Sequence, residues 1–142
     1  MQHLMDAAAL NAFIARDFTQ VAEDFAIEAV TSEGIDVRLK VAERHLRPGG
    51  TVSGPSIFAL ADVAVYLAIL SRIGPVALSV TTSASLDFLR KPAAGLDLIA
   101  RTRLLKLGRN LAVGDVLIYS EGTSDPVARA TMTYSIPPKS GV

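Results

Sequence analysis

Two residues eight positions apart carry the strongest chemical suggestion in this chain. Gly54 closes a Gly/Pro-rich loop, residues 45–54 (HLRPGGTVSG), and Asp62 is the sole charged residue between Pro55 and Ser71. The apolar run from Ser56 to Ile73 reads as one long helix, 56–73. Proline suits its first turn, and Gly74-Pro75 stops it. The start of a helix presents backbone N–H groups without internal partners, together with the positive end of the helix dipole. A glycine there lets another molecule come close to its N–H. A carboxylate set mid-helix among apolar neighbours can serve as a base or a nucleophile. One group polarises a carbonyl oxygen, and the other attacks its carbon or activates water to do so. The plainer alternatives are a glycine required by the loop's backbone angles and an aspartate that satisfies a neighbouring backbone group.

Spacing constrains how the two can cooperate. Eight residues of helix separate them by about 12 Å. A carbonyl group must sit within roughly 3–3.5 Å of what acts on it, so both can serve one substrate only from different subunits. Other candidates surround them. Ser53 can donate near the carbonyl oxygen or cap the helix. Arg47 can meet a carbonyl or a phosphate, or stand as an ordinary loop arginine. Tyr66, one turn after Asp62, can line a pocket, bond Asp62 or pack in the core. Thr82 interrupts the apolar face of a strand. Arg90, Lys91 and Arg109 are strand-end cations that can bind phosphates or stand as solvated loop charges.

The elements that must position these residues follow from pattern. Residues 6–17 read as a short amphipathic helix carrying Leu10, Phe13 and Ile14 on one face. Strands are expected at 25–31, 35–41, 78–88, 96–107, 111–120 and 127–136, the last four as a meander. In 78–88, Leu78, Val80, Thr82, Ala84, Leu86 and Phe88 should share one face, and in the last strand Ala128, Ala130, Met132, Tyr134 and Ile136 should. A helix apolar on nearly every side needs cover on nearly every side. One antiparallel sheet wrapped around it, with a second copy of the chain over the remainder, supplies that cover.

Composition narrows the field. With 142 residues, half of them apolar, and a mean hydropathy of +0.37, the chain suits a single domain, 1–142, with a sizeable core. Lys+Arg and Asp+Glu balance at 14 each, which argues against a nucleic-acid or anionic-membrane footprint. There is no cysteine, which excludes a disulfide framework and a thiolate metal site, and fits a reducing, cytoplasmic setting. With only His3 and His45 available, a metal centre is not expected. The 56–73 run approaches the length of a membrane span, but Asp62 at its centre favours a buried core helix.

The segment from Arg47 to Pro55 (RPGGTVSGP), followed by Ala59-Leu60-Ala61-Asp62, resembles the hotdog-fold acyl-CoA thioesterases of the phenylacetate-degradation (PaaI-like) type. Their pattern is Asn-Pro-x-Gly-x-Val-His-Gly-Gly, then Leu-Ala-Asp. The segments Asp87–Pro92, Leu107-Gly108-Arg109 and Ala128–Thr131 are similar as well. Three positions depart from the pattern: Arg47 replaces its Asn, Ser53 its His and Pro55 its second Gly.

The resemblance implies an α+β hotdog fold, with five or six antiparallel strands wrapped around the central helix. It implies hydrolysis of acyl-CoA thioesters across a homodimer interface, with pairing of dimers left open and no cofactor beyond the coenzyme A of the substrate. Asp62 would be base or nucleophile, and the Gly54 N–H would polarise the carbonyl. A hydroxyl among residues 81–83, taken as Thr82, would steer water. Arg47, Tyr66, Arg90, Lys91 and Arg109 would bind substrate. Two other readings share the residues: a non-catalytic acyl-CoA sensor, and an enoyl-CoA hydratase or dehydratase on the same fold. The second needs a His–carboxylate pair, and His45 lies seventeen residues before Asp62.

Overall fold

A computed structural model describes residues 3–75 and 79–138. Helix α1 (Ala7–Asp17) is capped by the Asp6 carboxylate, which accepts from the Ala9 N–H at 2.8 Å, and it buries Leu10, Phe13 and Ile14. A one-and-a-half-turn helix, α2 (Thr19–Asp24), follows and buries Val21. The strands are β1 (Phe25–Val30), β2 (Gly34–Leu39), β3 (Val80–Phe88), β4 (Leu98–Leu107), β5 (Leu111–Ser120) and β6 (Ala128–Ser135). The long helix α3 (Gly54–Ile73) stands between β2 and β3 in the chain. The expected strand start at Leu78 lies outside the described residues.

All six strands join one antiparallel sheet in the order β1-β2-β4-β5-β6-β3. The fold is therefore the expected α+β arrangement of a long helix held by one sheet. The expected four-strand meander is corrected. β4, β5 and β6 do meander, but β3 pairs with β6 at the far edge. The connection after β3 crosses the strand ends to reach β4. Leu89 and Arg90 donate to the Val127 carbonyl, and Ala93 donates to Ser120 Oγ. Alternation tells which way side chains point, not which neighbour a strand takes, so this crossing has no signal in the pattern.

α3 packs its core face against β2, β4, β5 and β6. Gly114 on β5 permits the approach. A Cβ there would stand 2.8 Å from a Val65 methyl, closer than such atoms can come. Two-thirds of the apolar window of α3 is buried within the protein (67%), so this is a core helix despite its span-like length. Its last turn is fixed by the Ser71 carbonyl, which accepts from the Leu4 and Met5 N–H groups.

β3 also differs from its expected inward alternation. Both faces of this edge strand are largely open, and only Thr81 and Leu86 are half-buried. Val80 is 57% and Phe88 58% exposed. A bulge between Thr81 and Ser83 shifts the register against β6 and re-aims the side chains on either side of it.

Candidate active site

The loop before α3 is built to present a helix start. Leu46 and Val52 pair across it, Arg47 donates to the Thr51 carbonyl, and Gly49 and Gly50 take positive φ values of 105° and 86°. Left-handed backbone of this kind costs glycine little and other residues more. Ser53 caps the helix: its Oγ accepts from the Ser56 N–H at 3.3 Å and donates to Ser56 Oγ at 3.0 Å. Its carbonyl accepts from Ile57. Pro55 has no N–H. Among the described residues, the Gly54 N–H is then the amide of this first turn left without a partner. That is the position where a carbonyl oxygen would gain most from a donor.

An open cleft of about 810 Å³ adjoins it, lined by Arg47, Gly54, Phe88, Arg90 and Lys91 among others. Three of its lining residues are cations and none is a carboxylate, so the cleft suits an anion. Arg90 is tethered at the rim by donating to the Pro126 carbonyl at 2.9 Å. Phe88 lies over the glycine, with a ring atom 3.3 Å from where a Cβ on Gly54 would stand.

Two turns further along α3, Asp62 is half-buried and oriented by hydroxyls from two strands. Its Oδ1 accepts from Thr81 Oγ1 at 2.5 Å and from Tyr134 Oη at 2.7 Å. The Tyr134 oxygen is also 2.9 Å from the carbonyl of Asp62, so its single proton bridges the side chain and backbone of one residue. Burial, with the Asp62 charge adding to it, pushes the Tyr134 hydroxyl far above its ordinary pKa, and it remains a proton donor at neutral pH. Oδ2 has no partner among the described residues and is free to meet water or substrate.

The candidate residues thus fall into two groups. Arg47, Gly54, Arg90 and Lys91 meet at the cleft, while Asp62 is not among its lining residues. Gly54 and Asp62 both sit on α3, with the axial separation of about 12 Å expected from helix rise. Ser53 takes the capping role. Thr81, not Thr82, reaches the carboxylate. Thr82 is exposed and makes only a 3.3 Å contact to the Thr133 carbonyl. The bulge explains the shift, because an extra residue moves every later side chain to the other face.

Tyr66 is a core aromatic, edge-on to Phe18 at 5.8 Å and tilted against Tyr134 at 6.3 Å. Arg109 lies exposed in the β4–β5 turn, away from the cleft lining. Tyr134 and Phe88 went unnoticed as site residues. A signal existed for Tyr134, a lone phenol on the inward face of a strand of small and aliphatic residues. Phe88 gave none. Among the described residues, no cluster of three or more His, Asp or Glu side chains could hold a metal ion.

A family model described as the thioesterase superfamily matches residues 49–127, more than half of the chain and both halves of this site. The chain belongs to the thioesterase superfamily. A solved structure from Silicibacter sp. TM1040, provisionally assigned as a thioesterase, is 59% identical, with a TM-score of 0.91 over 97% of this chain and 96% of that one. A thioesterase-family structure from Streptococcus pneumoniae, solved with coenzyme A, is 25% identical, with a TM-score of 0.70 over 82% and 90%. A provisional esterase of Thermoplasma acidophilum is 25% identical over 80% of this chain and 83% of its own length. The range matched by the family model includes Gly54 and Asp62, both on α3.

Proposed function

We infer that the protein hydrolyses acyl-CoA thioesters in the cytoplasm as a homodimer, within the PaaI-like branch of its superfamily. The observation that carries this reading is Asp62, one carboxylate oxygen pinned by two hydroxyls and the other unoccupied, on the same helix as an unpartnered Gly54 N–H. The thioester carbonyl accepts from Gly54 of one protomer. Asp62 of the partner subunit then either attacks the carbonyl carbon or takes a proton from an attacking water. The C–S bond breaks, water supplies the oxygen of the new carboxylate, and the sulfur leaves as coenzyme A with a proton. Arg47, Arg90 and Lys91 hold the phosphates of coenzyme A, as their cluster in an acid-free cleft suits. The neighbour solved with coenzyme A supports that ligand class.

The open β3 edge supports the dimer, as does the stripe it shares with α3. Phe58 is 40% exposed, and Ala59, Asp62 and Val63 beside it are half-buried. An unpaired strand edge and an apolar stripe invite a second copy related by two-fold symmetry. The hydratase reading loses its base, since His45 is buried against Asp24 rather than lining the cleft.

The test is hydrolysis of a panel of acyl-CoAs varying in chain length and aromaticity. Turnover of at least one member is expected. Tight binding of a member with no hydrolysis of any would overturn the reading in favour of an acyl-CoA sensor.

A further inference from the structure

His45 is a buried ionisable group that the reaction above does not use, being 6% exposed. Its ring and its backbone make contacts on two sides of the loop that delivers Gly54. Nδ1 accepts from the Ala42 N–H at 2.8 Å. That fixed donor leaves the proton of the neutral ring on Nε2, which lies 3.2 Å from Asp24 Oδ2 but is not aligned for a straight hydrogen bond. The His45 carbonyl accepts from the Ser53 N–H at 2.8 Å, and Ser53 is the cap that starts α3. The seven residues between them close through the Leu46–Val52 pair and include two left-handed glycines, so His45 and Ser53 are held together at the base of the loop.

The geometry points to His45 as a positioning residue that, through the Ser53 amide, anchors the Gly54 N–H against the end of α2. This rests on the hydrolytic reading above. The neutral ring is the one that fits. A proton on Nδ1 would face the Ala42 N–H and break that contact. The other charges here are accounted for: Arg44 pairs with Asp24 and lies 3.5 Å from Glu23, and Lys40 donates to the Ala22 carbonyl. Burial pushes the Asp24 carboxyl up, but Arg44 and His45 together outweigh it and hold it below its ordinary value.

The experiment measures kcat and KM for the wild type, His45→Leu and His45→Asn. Amide hydrogen exchange at Ser53 and Ile57 is followed in the same samples. His45→Leu should lose about tenfold in kcat, the scale of one lost hydrogen bond, with KM little changed and faster Ser53 exchange. His45→Asn keeps an acceptor near the Nδ1 position, so it should restore kcat and slow Ser53 exchange. Unchanged kcat in His45→Leu, or Ser53 exchange as slow in His45→Leu as in the wild type, would overturn the assignment. If His45→Leu does not fold, His45→Ala takes its place with the same two outcomes. If the wild type turns over no thioester, the hydrolytic reading fails by itself, and Ser53 exchange still reads the anchor.

Discussion

The two halves of α3 have similar hydropathy and opposite surroundings. From Ala64 to Arg72 every residue is buried, enclosed by the sheet and by the N-terminal segment that bonds Ser71. From Gly54 to Val63 the helix carries an exposed phenylalanine, a half-buried carboxylate and an unpartnered N–H beside an open strand. The C-terminal half is core. The N-terminal half leaves polar groups unmet and apolar surface uncovered, the features on which the proposed site and interface rest. Apolar composition thus says that a helix must be covered and leaves open what covers it.

Substitutions in each half should separate these roles. Asp62→Asn keeps the shape and removes the charge. It should lower kcat at least about a hundredfold, as losing a base or nucleophile does, with the melting temperature little changed. Leu67→Ala in the buried half should do the reverse. It should cost about 2–5 kcal/mol of stability in denaturant titration, with kcat per folded molecule preserved. Catalytic loss in Leu67→Ala, or unfolding in Asp62→Asn, would erase the contrast between the halves.

Smaller effects should come from the hydroxyls. Thr81→Val and Tyr134→Phe each remove one bond to the Asp62 carboxylate and should each cost about tenfold in kcat. Thr82→Val should stay within about twofold. Tyr134 carries a stability signature too. Its folded-state pKa is raised by burial, so its contribution is fully present below the ordinary tyrosine value of 10.0 and is lost as pH rises beyond it. Thermal melts above pH 10.0 should therefore fall more steeply for the wild type than for Tyr134→Phe.

Much of this was readable before any coordinates. Strand bounds, the central helix and the Gly54–Asp62 spacing follow from alternation, glycine and proline punctuation and helix rise. These are local properties. What escaped was non-local or a matter of single-residue register. The partner of β3 depends on a crossing loop. The Thr81 contact depends on one extra residue in a bulge, which turned the expected Thr82 outward. α2 is too short for its period to show. Tyr66 and Tyr134 could not be ranked from pattern, because which aromatic reaches a carboxylate depends on the distance between a strand and a helix.

In the proposed reaction Gly54 and Asp62 act on one thioester from different chains. Mixing equal amounts of Asp62→Asn and Gly54→Val protein, each inactive alone, tests it directly. Random re-pairing under two-fold symmetry gives half heterodimers with one complete site each, so activity should return to about a quarter of the wild-type value. Heterodimers that form, as verified by mass, and remain inactive would contradict the claim.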